Sequence, residues 1–464
     1  MINGQHIKGF FFVGIGGIGM SALARYFLAG GFDIAGYDRT GSDLTDELTS
    51  EGCRIIFDDD PSLIPDMFRD AGQSNSIIIV YTPAIPLSSR ILAFYRENGY
   101  KVYKRAEILG ALSEKTDTLA VAGTHGKTTV STLLAHILKI SHVDCSAFLG
   151  GISKNYNTNL LLGQGRYTVM EADEYDRSFL KLRPLMAIVT SVDADHLDIY
   201  GNHAAMIEGY NLFCSRIRAG GTMIVNKKVE DSISRQPDVS YYTYGLDEVA
   251  DYCALNITPD GHFYRFDLKT PAGVFRDIHF SFPGLINVEN AIGASAVALS
   301  SGVMIEEIRK ALICFRGVKR RFDIRVNNGD IVYIDDYAHH PEEIRACINS
   351  IREQYPGKHI TGIFQPHLYS RTRDHAGQFA AALDKLDKVI LMPVYPAREE
   401  PIPGVGSEMI LEKMRSPGVE ILSGESVVDA IDYRTTDVLV TIGAGDIDRL
   451  VKPIEERIKT IYKR

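Results

Sequence analysis

The sequence has no C-x-x-C pair, no excess of basic residues and no long uninterrupted apolar run, and each absence removes a class of protein. Its six cysteines, Cys53, Cys145, Cys214, Cys253, Cys314 and Cys347, are scattered along the chain. That spacing argues against a structural zinc framework and fits a reduced compartment, so a cytoplasmic protein is expected. Lys and Arg number 50 against 59 Asp and Glu, a formal net charge of -9. Such a balance supplies no basic face for nucleic acid or a membrane surface, so anionic ligands must be held by local donors. The apolar stretch from Phe10 to Leu28 is interrupted by Gly14, Gly16, Gly17 and Gly19 and carries Arg25. It reads as strand, turn and helix, not as a signal peptide or a membrane-inserted segment.

What remains is an ordinary globular composition, 45% hydrophobic and 23% charged, in 464 residues, too many for a single growing core. Three α/β segments are expected, at 1–115, 116–318 and 319–464. Each opens with an apolar strand leading into a turn, and the first and third are Rossmann-like in pattern. In the first, strands are expected at Phe10 to Val13, Ile34 to Tyr37 and Ile77 to Tyr81, with a helix stopping at Gly30-Gly31. In the second, the strand Thr118 to Ala122 precedes Gly123-Thr124-His125-Gly126-Lys127-Thr128-Thr129, and Val130, Leu133, Leu134, Ile137 and Leu138 follow at helical spacing. Pro-Asp-Gly and Pro-Ala-Gly turns between Thr222 and Phe282 predict a small antiparallel sheet in the same segment. In the third, strands are expected at Ile331 to Ile334, Ile360 to Phe364, Lys388 to Met392 and Val438 to Thr441.

The loop Gly123 to Thr129 carries the strongest chemical signal. Glycines let backbone N–H groups approach phosphate oxygens, Lys127 brings a cation, and Thr128 can place a hydroxyl on magnesium. Val121 stands where the usual P-loop has its first glycine, so only a shortened form is present. An ordinary glycine-rich turn explains the glycines, but not a lysine and two threonines at the helix start. Two acidic runs end the next strands: Glu171 to Asp176 after Thr168 to Met170, and Asp193 to Asp198, including His196, after Ala187 to Thr190. Strand ends are where open α/β sheets bind ligands, and magnesium takes carboxylate and phosphate oxygens.

Gly14, Gly16 and Gly19 satisfy G-x-G-x-x-G, and Asp38 ends the following strand as a ribose-binding acid would. Alone this pattern means a nicotinamide-dependent dehydrogenase. A second phosphate loop in the next segment favours a pyrophosphate cradle for a nucleotide-linked substrate instead, with Gly17 and Arg105 counted among its contacts. The third segment offers Arg320-Arg321-Phe322-Asp323, Asp335-Asp336-Tyr337-Ala338-His339-His340-Pro341, and a run from Gln365 to Asp374 holding His367, Arg371 and Arg373. Arginine forks suit a phosphoryl group or a carboxylate.

With Gly14 to Met20, Gly123 to Thr129, Glu171 to Glu174, Asp195-His196, Asn287 with Asn290, Arg320 to Asp323 and Asp336-Tyr337 in this order, the chain resembles the Mur ligase family along essentially its whole length. The likeness is greatest to the member that adds L-alanine. The resemblance implies ATP and Mg2+ as cofactors, UDP-N-acetylmuramate and L-alanine as substrates, and an acyl-phosphate intermediate in wall-precursor synthesis. It implies Lys127 on the phosphates, Thr128 and Glu171 on one magnesium ion and His196 on a second. Asn287, Asn290 and Arg321 would meet nucleotide or transferring phosphate, and Tyr337, His367, Arg371 and Arg373 the amino acid and substrate phosphates. A carboxy-terminal domain that closes is implied too, as a monomer or homodimer, with no nucleic-acid partner and no membrane insertion. Ala338 departs from a glycine frequent in the family, and no equivalent of the carbamylated lysine of some relatives is evident.

The attacking amine must lose a proton, and His339, His340 or Asp336 can accept it. Within the family, a ligase that recycles wall tripeptide onto the same UDP sugar is the nearest alternative, and Gly16 to Met20 favours the alanine enzyme. A non-catalytic nucleotide sensor is disfavoured because Lys127, Glu171 and His196 are all present.

Overall fold

In the first sheet, Phe10 and Phe12 turn to one side and Phe11 and Val13 to the other, all fully buried, as the period of a strand covered on both faces requires. This sheet is wholly parallel. Its strands run Arg54–Ile56, Asp33–Tyr37, Gly9–Val13, Ile77–Tyr81 and Lys101–Lys104 in spatial order. The computed structural model describes residues 7–462 apart from 87, 196, 261, 262, 398 and 417.

Ten strands form the central sheet, in the order Gly273–Phe280, Phe263–Thr270, Tyr252–Asp260, Ser240–Gly245, Thr222–Asn226, Met186–Val189, Asp117–Ala122, Tyr167–Ala172, Cys145–Ser153 and Thr158–Leu161. The strands expected between Thr222 and Phe282 therefore continue the main sheet. The join is parallel, Thr222–Asn226 pairing with Met186–Val189 on one side and with Ser240–Gly245 on the other. Beyond it, connections too short for a crossover make Tyr252–Asp260, Phe263–Thr270 and Gly273–Phe280 antiparallel neighbours.

The third sheet has six strands, Asp323–Asn327, Val332–Asp336, Val438–Ile442, Ile360–Phe364, Lys388–Leu391 and Glu420–Ile421. Only its first pair is antiparallel. Among the described residues no helix is long and apolar enough to cross a membrane.

Contacts divide the chain into two compact units. One holds residues up to 258 with 265–280 and 289–316, and the other 259–264, 281–288 and 317 onward. The first unit thus contains two sheets over one continuous core that includes Phe10, Phe148, Met170 and Phe213. Arg25, 8% exposed, ties them together: its guanidinium donates to Glu47, Glu51 and the Asn159 amide oxygen, while the Asn159 amide donates to Ile18 O and Ser21 Oγ. A buried arginine with its donors satisfied in this way specifies one docking geometry.

Candidate functional site

The first unit carries a phosphate-type loop between Asp117–Ala122 and the helix Lys127–Ile140. Its two glycines are required by the backbone, since Gly123 has φ +138° and Gly126 φ +82°. A side chain at 126 would also meet the Asn290 amide oxygen at 2.9 Å, which places Asn290 against the loop. The strand end after Met186–Val189 braces the loop. The Thr190 hydroxyl donates to His125 O, His125 N–H donates to Ser191 Oγ at 2.8 Å, Thr124 Oγ1 donates to Asp193 O at 3.1 Å, and the His125 ring lies 3.5 Å from the Asp193 carboxylate. Asp193, expected among metal-side acids, thus serves the loop. Thr129 is buried at the helix start.

Lys127 Nζ donates to Gly123 O at 2.6 Å and reaches Glu174 at 2.8 Å, with Lys127 13% and Glu174 1% exposed. Burial works against the Lys127 ammonium, yet Glu174, Asp173 and Glu171 hold its pKa above the ordinary lysine value. Burial raises the Glu174 carboxyl, with Lys127 pulling the other way. Glu174 was not singled out by the sequence. Its signals there are its place in the Glu171 to Asp176 run and at the end of the Glu171 to Glu174 motif, neither of which gave it a role.

Beside Lys127, the Thr128 hydroxyl donates to Glu171 Oε1 at 3.1 Å. The strand Tyr167–Ala172 runs two residues further than its hydrophobic pattern predicted, so Glu171 sits in the strand and not after it. Its second oxygen accepts from Ser131 Oγ at 3.3 Å and Gly150 N–H at 3.2 Å, and a Cβ at 150 would overlap the carboxylate. A hydroxyl and a carboxylate at the start of a phosphate-loop helix are the oxygen donors that magnesium favours. His196, expected on a second ion, lies outside the described residues.

A cleft of ≈ 260 Å³ runs from this carboxylate to the amino-terminal glycines, with Gly17, Gly19, Arg105, Gly150, Glu171 and Asp173 on its wall. Gly17 caps the helix Ile18–Ala29, and Gly14 has φ +91°. Arg105 pairs with Asp173 at 3.3 Å and packs on Gly19, where a Cβ would stand 2.5 Å from its Nη1. Asp38, expected to hold a ribose, accepts the Gly16 N–H at 2.8 Å and so fixes the loop.

In the second unit, Tyr337 lies under two guanidinium groups, Arg320 at 5.1 Å and Arg321 at 5.0 Å from its ring centre. The loop carrying them is strained, Arg320 and Phe322 having φ +62° and +45°. Asp336 holds it: one carboxylate oxygen accepts Phe322 N–H at 2.7 Å and the other Ala338 N–H at 2.8 Å. Burial pushes the Asp336 pKa up to about 6, against the pull of Arg321 and these two donors. Ala338 needs no positive φ, so a glycine is not demanded there.

Glu343, given no role from the sequence, is the third residue of the helix Pro341–Gln354; it accepts the His339 N–H at 3.0 Å and lies 3.7 Å from Arg321. His340 caps that helix. His339 and His367 rings stand 5.9 Å apart, and Arg371 reaches His367 at 3.5 Å. Arg373 is not brought to this cluster. Two positions along the helix Tyr369–Leu383 it turns outward, 52% exposed against 8% for Arg371, and pairs with Asp374. The Asn287 amide donates to Pro283 O at 2.6 Å, capping its own turn.

Three family models match the chain in succession. Residues 10–116 match the model described as Mur ligase family, catalytic domain, residues 121–298 the Mur ligase middle domain, and residues 320–445 the Mur ligase, glutamate ligase domain. A UDP-N-acetylmuramate--L-alanine ligase of Porphyromonas gingivalis is 48% identical over 98% of this chain and all of its own length. One of Parabacteroides distasonis is 47% identical over 96% of each. The crystal structure of a UDP-N-acetylmuramate-alanine ligase from Thermotoga maritima superposes with TM-score 0.83 at 26% identity, covering 98% of this chain and 99% of its own. A murein peptide ligase of Psychrobacter arcticus shares the fold with TM-score 0.71 at 23% identity. With three successive domain models matched along its length and full-length relatives at 47–48% identity, the chain belongs to the Mur ligase family.

Proposed function

We propose that the chain joins L-alanine to the lactyl carboxylate of UDP-N-acetylmuramate, converting ATP to ADP and phosphate. The carrying observation is the continuity of the cleft in the first unit, from the glycine cradle past Arg105 to Glu171 beside Lys127 and Thr128. A carboxylate delivered along it arrives at the end of a nucleotide's phosphate chain. Residues 1–115 are assigned to the UDP sugar, 116–318 to ATP and 319–464 to the amino acid.

A carboxylate is a poor acyl donor, so its oxygen first attacks the γ-phosphorus and ADP leaves, giving an acyl phosphate. The loop N–H groups of Gly123 to Thr129 and Lys127 bind and neutralise the phosphates. Thr128 and Glu171 would hold a magnesium ion, which when bound offsets phosphate charge. The amine then attacks the acyl carbon and phosphate departs. Arg371 is assigned to the amino-acid carboxylate, Arg321 to a phosphoryl group and His339 to the amine proton, oriented by Tyr337 O and Glu343. Asp336 is assigned to holding the Arg320-Arg321 loop, because both its oxygens are engaged by backbone donors. Because water destroys an acyl phosphate, the reacting groups must be shielded during the second step.

The test is phosphate release with ATP, Mg2+ and UDP-N-acetylmuramate, comparing L-alanine with glycine, L-serine and a wall tripeptide. Release is expected to need both the UDP sugar and L-alanine, and Lys127→Ala is expected to lower it by about 10²-fold or more. Equal turnover with tripeptide, or an active Lys127→Ala chain, contradicts the assignment.

A further inference from the structure

The residue opposite Lys127 is as informative as Lys127 itself. Glu174 is 1% exposed and meets the ammonium at 2.8 Å, on the side chain that the phosphate loop offers to a nucleotide. It is held there from several directions. Tyr200 donates its hydroxyl to Glu174 O at 2.8 Å, and Lys104 anchors the following turn through Asp176, also at 2.8 Å. Asp176 and Arg177 are both in the left-handed region, φ +54° and +53°, a conformation non-glycine residues take rarely and only where surroundings impose it. The turn is thus built to bring a carboxylate inward.

A buried carboxylate on the cation and a polyphosphate arriving at the same cation are alternatives. Three N–H bonds leave an ammonium, and here two go to backbone oxygens, Gly123 O at 2.6 Å and Thr124 O at 3.3 Å, and one to Glu174. We infer that Glu174 is a resident counter-ion which the nucleotide's terminal phosphates must displace from Lys127, so that this carboxylate sets how tightly the site holds ATP and ADP. The inference rests on the reading of Lys127 as a phosphate ligand. Glu174 is then a positioning residue. With the site empty it keeps the lysine charged and pointed across the loop, and it returns to the lysine as ADP leaves, which favours release of a product that would otherwise compete with ATP.

Calorimetric titration of the full chain with ADP, a non-hydrolysable ATP analogue and adenosine tests this, for the parent protein, Glu174→Gln and Glu174→Asp. Glu174→Gln keeps the shape and removes the charge. ADP and the analogue are expected to bind at least about fivefold more tightly to it, adenosine unchanged, with KM for ATP falling and kcat not rising. A role in folding alone would not discriminate by phosphate number. If Glu174→Gln does not fold, Glu174→Asp, whose carboxylate falls one methylene short, is expected to shift the same two ligands the same way by a smaller factor. Unchanged or weaker polyphosphate binding in a folded variant overturns the inference. A parent chain that binds no ADP overturns the phosphate role of the loop itself, which is a different result.

Discussion

Asp38 accepts the Gly16 N–H at 2.8 Å, and a Cβ at position 16 would stand equally close to the same oxygen. The acid and the glycine therefore form one unit, in which the absence of a side chain lets the carboxylate pin the backbone of the cradle. A charge-assisted bond of this kind contributes about 1.5–3 kcal/mol. Asp38→Ala is expected to loosen the cradle, raising KM for UDP-N-acetylmuramate about tenfold while ADP affinity stays within about twofold. Loss of ADP binding in that variant would contradict the division of labour between the two glycine loops.

Gly150 is a second such partner, for Glu171. Its N–H donates to the carboxylate at 3.2 Å, and there is no room for a methyl group. Gly150→Ala must push Glu171 away from Thr128. The expected result is an Mn2+ affinity about tenfold weaker, read by electron paramagnetic resonance in the presence of ADP, with a lower kcat that excess Mg2+ partly restores. Unaltered Mn2+ binding would remove Glu171 from the ion site.

Asp336 predicts a pH dependence. Burial lifts its pKa from an aspartate's ordinary 3.8 to about 6. Folding therefore takes up a proton between these values. The stability this group contributes is full below about 4 and is lost as pH rises through about 6, a change on the order of 3 kcal/mol. Asp336→Asn cannot titrate. Its unfolding free energy relative to the parent, measured with denaturant at low and neutral pH, should rise by about that amount across the window, and a difference independent of pH would refute the shift.

Arg371 and Arg373 are two residues apart on a helix and differ in burial, 8% against 52%. Arg371→Ala is expected to raise KM for L-alanine at least about tenfold, and Arg373→Ala to stay within about twofold, since an exposed pair contributes about 0–1 kcal/mol. Equal effects would place both on the substrate.

The composition-level expectations and the local motifs were legible because they depend on neighbours in the chain. Gly123 to Thr129 reads as a strand-to-helix turn, and forms one here, because the glycines, the lysine and the helical spacing that follows act within a few residues. Strands such as Ile77–Tyr81, a continuous apolar run, and Ile360–Phe364, whose apolar residues flank Thr361 and Gly362, were legible for the same reason. The Thr222 to Phe282 region was legible as strands but not as an extension of the central sheet, because the sheet a strand joins depends on the edge left open by distant strands.

The sequence by itself determined the α/β class, the phosphate loop and the supply of acids and arginines, since composition and short-range periodicity carry that information. Only the tertiary structure decided which acid meets which donor. Glu174 reaches Lys127 across 47 residues, Glu171 reaches Gly150 across 21, and Asp336 reaches Phe322 across 14. One helix sends Arg371 inward and Arg373 outward. Hydrogen bonding and desolvation act over a few ångströms of space, and it is the packing of sheets and helices that brings residues so far apart in the chain within that range.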